Sequence, residues 1–195
     1  MIKKIFWLLD DLRWSFLCSW SFWLHGPYGL AITIEKLPFR YVIKYLKKYG
    51  ATIGNNSVID TGIIIHRPDK EIPFKNLSIG DNCYIGRKVL FDLSDQIIVE
   101  HDVAIGTGCQ FWTHVGDFKK NLTDRENDYR EEKAPIKVKK RTVIYSAAVI
   151  SPGVTIGKYA RVGACSLVNK NVTPKSFFGG VPARFVKMRD NDQNK

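Results

Sequence analysis

From Val138 to Thr173 the chain repeats itself every six residues. An aliphatic residue opens each block, at Val138, Ile144, Ile150, Ile156, Val162 and Val168. Four positions later stands a residue small enough for a tight interior: Thr142, Ala148, Val154, Ala160, Ser166 and Val172. A helix repeats every ~3.6 residues and a strand every two, so neither alone yields this spacing. A short strand, a turn and a return to the same inward position does yield it, and such repetition marks a solenoid, here a hexapeptide β-helix. Three blocks make one triangular coil, and stacked coils align their aliphatic positions into internal ladders. One ordinary buried strand would not keep register through six blocks.

The period extends upstream. Ile53, Ile59 and Ile65 open blocks; residues 67–76, with Pro68 and Pro73, break the pattern as a loop. It resumes at Ile79, Ile85 and Phe91, slips by two residues, and continues at Val99, Ile105 and Phe111. Glycine directly after the aliphatic residue, as at Gly54, Gly80, Gly86 and Gly106, is expected at a corner whose backbone a Cβ would strain. Residues 116–135 leave the repeat for a long polar stretch, and a loop of that length in a compact fold is functional or disordered.

Before the repeat lie about fifty residues of different character. Residues 1–25 are dense in aromatic and aliphatic side chains, interrupted by Asp10, Asp11 and Arg13, so the apolar run falls short of the ~20 residues a spanning helix needs. The acids and the missing small-residue cleavage site also argue against a signal peptide. Two readings stay open: the segment packs on its own solenoid or a neighbouring subunit, or it lies at a membrane interface. Gly26-Pro27 breaks it, and Leu37-Pro38 opens a second helix with an apolar face of Tyr41, Val42, Tyr45, Leu46 and Tyr49. Gly50 ends that helix. The expected organisation is a helical segment over 1–50, a β-helix over 51–187 carrying the loop 116–135, and a disordered tail over 188–195.

Charge narrows the company this chain keeps. A net charge of +11 and a pI near 9.5 point to anions: nucleic acid, an anionic membrane surface or a polyphosphorylated cosubstrate. No nucleic-acid module is recognisable, and none is expected as a partner. Cys18, Cys83, Cys109 and Cys165 follow no zinc or CxxC spacing, and Cys83 and Cys109 occupy small interior positions of the repeat, so free thiols are expected rather than disulfides.

The run from Ile150-Ser-Pro-Gly-Val-Thr-Ile-Gly to Asn171-Val172, followed by Gly180-Val-Pro-Ala-Arg184, resembles the hexapeptide-repeat acyltransferases, in particular their sugar and xenobiotic O-acetyltransferase branch. The resemblance covers roughly residues 51–187. It implies a mainly β fold, a left-handed parallel β-helix, assembled as a homotrimer with sites between neighbouring coils. It implies acetyl-CoA as cosubstrate, no metal, and a cytoplasmic protein, at the inner membrane face if residues 1–25 lie on lipid.

The resemblance also assigns roles. His114, in Phe111-Trp-Thr-His at the end of the last coil before the long loop, matches the general base. An imidazole suits that work because it takes up and returns a proton near neutrality. A surface corner histidine is the plain alternative. Asp92 matches an acidic position near the acceptor, either binding a substrate hydroxyl or orienting His114; an aspartate at a corner is also an ordinary turn residue. Ser146 and Ala164 match backbone positions lining the pantetheine groove, Asn169 and Lys170 a pair further along it, and Arg184 and Lys187 cations near the nucleotide phosphates. Two positions depart from the pattern. Val143-Ile144-Tyr145 replaces Trp-Ile-Gly, and Asn169 stands where threonine is common. The remaining histidines, His25, His66 and His101, do not match the spacing of metal-binding β-helices such as the gamma-class carbonic anhydrases.

The implied activity is O-acetylation of a saccharide hydroxyl, on a polysaccharide or a lipid-linked sugar intermediate. The alternatives are acetylation of an antibiotic or a nucleotide-sugar amine, or a non-catalytic β-helix subunit that serves assembly.

Overall fold

The computed structural model describes residues 2–118 and 129–188. Its body is a three-faced prism of parallel strands. The first face stacks Thr52–Ile53, Leu77–Ile79, Ile97–Val99, Ile136–Val138 and Thr155–Ile156. The second stacks Val58–Ile59, Tyr84–Ile85, Ala104–Ile105, Val143–Ile144 and Arg161–Val162, and the third Ile64–His66, Leu90–Asp92, Gln110–Phe111, Val149–Ile150 and Leu167–Val168. Each coil takes one strand from every face, and each strand pairs with its counterpart one coil away. The architecture is the left-handed β-helix.

The aliphatic period makes the core. Ile53, Ile79, Val99, Val138 and Ile156 form one buried ladder, and Ile59, Ile85, Ile105, Ile144 and Val162 a second. The third carries Ile65, Phe91, Phe111, Ile150 and Val168, with the Phe91 and Phe111 rings stacked 5.4 Å apart. Burying one such side chain contributes about 1.5–3 kcal/mol, so the ladders are the chief source of stability. Cys83 and Cys109 fill interior corners as buried free thiols, and burial pushes both up from the usual thiol range.

The corner glycines have a different cause from the one expected. Gly54, Gly80, Gly86 and Gly106 do not adopt the left-handed region. A Cβ at Gly106 would stand 2.5 Å from the Ser146 amide nitrogen of the next coil, and one at Gly54 would stand 2.5 Å from the Gly80 carbonyl carbon. Close approach between coils excludes a side chain there. The left-handed residues sit two positions later and are mostly not glycine: Asn56, Asn82, Asp102, Arg141 and Tyr159.

Two helices precede the prism. The first, α1, runs Ile2–Glu35 with a kink where Gly26 adopts φ 63° before Pro27; the second, α2, is Phe39–Lys48. Tyr41, Val42, Tyr45 and Leu46 of α2 are buried against the first coil, while Lys47 and Lys48 at its C-terminus suit the helix dipole. Beyond the kink, Leu30, Ala31 and Ile34 of α1 are buried near the first strand of the third face. After Phe111 the chain leaves the prism as an antiparallel arm, His114–Phe118 against Tyr129–Lys133, within the stretch read from sequence as a loop. The chain closes with Ser176–Gly179 and Arg184–Met188 as an antiparallel hairpin continuing the second face. Met188 still belongs to that hairpin; the rest of the expected tail lies outside the described residues.

Candidate active site

Stacking brings sequence-distant corners into one column. His66, Asp92 and Trp112 follow the inward residues Ile65, Phe91 and Phe111 of three successive coils, about 4.8 Å apart per step. The two-residue slip after Asp92 makes a turn that turns Ser94 and Asp95 back toward His114. The Ser94 hydroxyl donates to Asp92 Oδ1 at 2.8 Å and lies 3.3 Å from His114 Nδ1. The Asp95 amide donates to Thr113 Oγ1 at 3.0 Å.

Asp92 and His114 form the centre. Asp92 is wholly buried and the His114 side chain is 13% exposed. Asp92 Oδ2 accepts from His114 Nδ1 at 2.6 Å, from the His114 amide at 3.0 Å and from the Thr113 amide at 2.8 Å. Burial alone would raise the Asp92 carboxyl, but the donors His114, Ser94 and Thr113 outweigh it and hold the group below the usual carboxylate range. A carboxylate only accepts, so the hydrogen sits on His114 Nδ1 and the lone pair on Nε2.

Two aromatic rings fix the imidazole further. His66 stacks on His114 at 5.5 Å, nearly parallel, and Trp112 meets both rings edge-on at 5.5 and 6.2 Å. Burial lowers the His66 pKa; the Asp92 charge opposes this, while His114 and Arg67 add to it. His66, Ser94, Thr113 and Trp112 were not singled out from the sequence, and no local spacing signals them.

Ser94 also lines a cleft of about 600 Å³. Its walls are Tyr28 of α1, the loop from Arg67 to Glu71, Lys75, Asn76 and Leu93, and Lys133 of the arm. Arg67 pairs with Glu131 of the arm, and Lys75 with Asp69, which tie the loop and arm in place. Asp92 does not reach this cleft. Its oxygens face inward, so of the two roles expected for it the geometry supports orientation of His114 and not contact with an acceptor.

The residues matched to coenzyme A fall on two different edges. Ser146 and Ala164 lie one coil apart between the second and third faces, where the Cys165 amide donates to the Ser146 carbonyl at 3.0 Å. Gly180 to Arg184 continue that edge, since the Leu167 amide donates to Gly180 and the Ala183 amide to Leu167. Asn169 and Lys170 instead lie past the third face, on the edge that carries Asp92 and His114. Arg184 and Lys187 are exposed on the terminal hairpin. Tyr145 occupies a corner column that also holds Asp60, Gly86, Gly106 and Gly163; the residue is 41% exposed and its side chain points away from the core.

One donor atom each from His66, Asp92 and His114 lies within 4.8 Å of the others, a spacing an ion could bridge. The Asp92 oxygens, however, are already occupied by protein donors. That pattern belongs to a carboxylate orienting a histidine rather than to an open ligand.

Known proteins supply the context. The family model described as the hexapeptide repeat of succinyl-transferase matches residues 45–67. The chain is 28% identical over 156 residues to galactoside O-acetyltransferase of Escherichia coli K12, covering 77% of this chain and 69% of that protein. It is 31% identical over 126 residues to a chloramphenicol acetyltransferase of Morganella morganii, spanning 65% of this chain but 57% of that protein's length. A hexapeptide-repeat acetyltransferase of Vibrio cholerae, solved with acetyl coenzyme A, superposes with a TM-score of 0.73 at 25% identity, covering 85% of this chain and 86% of that one. In sequence and in fold the chain is therefore similar to hexapeptide-repeat acetyltransferases.

Proposed function

We propose that this protein transfers an acetyl group from acetyl-CoA to a hydroxyl of a saccharide, with His114 as general base. The class, an acetyl-CoA-dependent acetyltransferase, rests on the similarity to galactoside O-acetyltransferase and to an acetyltransferase solved with acetyl coenzyme A. The acceptor and the base rest on the buried 2.6 Å bond between Asp92 and His114, joined through Ser94 to the lining of a polar cleft.

His114 Nε2 takes the proton of the acceptor hydroxyl as its oxygen attacks the thioester carbonyl. The carbon–sulfur bond then breaks, and the imidazolium returns the proton to the departing thiolate. Asp92 holds the ring in the tautomer that leaves Nε2 free and stabilises the imidazolium. No covalent enzyme intermediate is required; holding both substrates together supplies much of the acceleration.

The cleft favours a hydroxyl-rich acceptor over a flat apolar one, because Asn76, Ser94, Asp69 and Lys70 line it with donors and acceptors. Arg67, Lys75 and Lys133 add positive charge, which suits a phosphorylated or lipid-linked sugar. The cosubstrate residues argue for more than one copy. Ser146, Ala164 and Arg184 lie on one edge and His114, Asn169 and Lys170 on another, so one cosubstrate can touch both sets only where two chains meet edge to edge. A homotrimer closes with each chain setting one of these edges against the other edge of its neighbour.

The test is an acceptor screen with labelled acetyl-CoA across free sugars, glycolipid precursors, amino sugars and chloramphenicol. Label on a sugar oxygen is expected. Label only on an amine or on chloramphenicol overturns the acceptor, and no transfer to any acceptor leaves the assembly-subunit reading in its place.

A further inference from the structure

The outward face of α1 is a long stripe of exposed apolar side chains. Ile5, Leu9, Leu12, Phe16, Trp20 and Trp23 follow one another at helical spacings of four and three, which puts all six on one stripe. They are between 49% and 74% exposed. Phe16 stacks on Trp20, and Trp23 meets Trp20 at a tilt, with ring centroids 5.8 and 5.4 Å apart. Apolar patches of this extent on a soluble surface mark an interaction site.

The opposite face is where α1 meets its own protein. Cys18 is buried there, and Trp14 and Phe22 pack against the core. Asp10 and Asp11, the only acids of α1 before its kink, also turn that way. They pair with Arg40 and Lys44 of α2 and accept from the Tyr41 and Tyr45 hydroxyls. The stripe therefore carries no acidic side chain, and Arg13 beside it is 65% exposed, its guanidinium 3.9 Å from Asp10. Residues 1–50 hold eight Lys and Arg against three Asp and Glu.

We propose that this stripe docks the protein on an anionic lipid bilayer, with α1 lying in the plane of the interface. An apolar face flanked by cations, with tryptophans in it, is the pattern that partitions to the boundary between headgroups and acyl chains. No helix among the described residues is long and apolar enough to cross a membrane, so the attachment is peripheral. A second copy of the chain fits the stripe less well, because pairing two such faces brings together two basic surfaces on chains of net charge +11. Beyond the Gly26 kink the same helix contributes Tyr28 to the cleft that Ser94 lines, which sets that cleft alongside the lipid. This last link rests on the acceptor reading above; the docking itself does not.

Co-sedimentation of the full-length protein with vesicles tests it, using phosphatidylcholine alone and an equal mixture of phosphatidylcholine and phosphatidylglycerol. Wild type should sediment with the anionic vesicles and less with the neutral ones, and added salt should weaken the binding. The combined Phe16→Ser, Trp20→Ser and Trp23→Ser variant should bind anionic vesicles at least about 10-fold more weakly. Its mass by light scattering without lipid should stay that of the wild type. Absence of wild-type sedimentation at low salt, equal binding to both vesicle types, or undiminished binding by the variant overturns the proposal. A variant of lower mass than the wild type also overturns it and gives the face to a second copy.

Discussion

A carboxylate taken wholly out of water persists only where its lone pairs are met, and Asp92 meets that condition with donors from Ser94, Thr113 and His114. Asp92→Asn offers an amide nitrogen where those donors point. We expect it to cut the maximal rate by roughly 10² or more while the KM for acetyl-CoA changes little, because tautomer control is lost and binding is not. An unchanged rate would show that the bond does not serve the chemistry. His66 gives a pH signature. Burial lowers its pKa, so on acidification below about 6.5 the unfolded chain takes up a proton that the folded chain resists, and stability falls. The depressed Asp92 carboxyl adds a second loss near and below its unfolded pKa of about 3.9. Melting temperature against pH should therefore decline from about pH 6.5 downward, and His66→Gln should flatten the first part of that decline. An identical slope in the variant contradicts the assignment. His114 and Asp92 could be singled out in the sequence because the resemblance matches both positions to motifs in fixed order. His66 and Ser94 could not, because the irregular stretches 67–76 and 93–96 decide which residue of one coil meets which residue of the next.

At the level of elements, the hexapeptide period was the most legible feature, since one inward aliphatic per block is a strong and repeated signal. Ile156 shows how much depends on it: it is fully buried between Val138 on one coil and Val172 on the next. Ile156→Asp leaves an unpaired carboxylate there, costing several kcal/mol against a total stability of roughly 5–15 kcal/mol. The variant should fail to accumulate as soluble protein, or melt far below the wild type by circular dichroism; a soluble variant of normal melting temperature would contradict the ladder. The corner glycines were found by pattern but explained wrongly, because a left-handed backbone and a close neighbouring coil both ask for glycine and only the stacked structure separates them. For α1 the sequence left packing and lipid contact as rivals. The helix packs one face on the protein and leaves the other exposed, a division that depends on which turn meets α2 and is not carried by hydrophobic content alone.

For the whole molecule, the two groups of cosubstrate residues lie on separate edges of one prism, and this makes oligomerisation part of the proposed site. Light scattering at micromolar concentration should give a mass of about 67 kDa, three times the 22.3 kDa of one chain. A monomer would leave Arg184 and His114 unable to serve one cosubstrate. The central claim, that His114 moves the proton in acetyl transfer, is tested most directly by the maximal rate of His114→Ala at saturating acetyl-CoA, with coenzyme A affinity measured on the same sample. The expected result is a rate lower by roughly 10² or more with affinity nearly unchanged, the scale of a lost general base. A His114→Ala protein that transfers acetyl at the wild-type rate would contradict it.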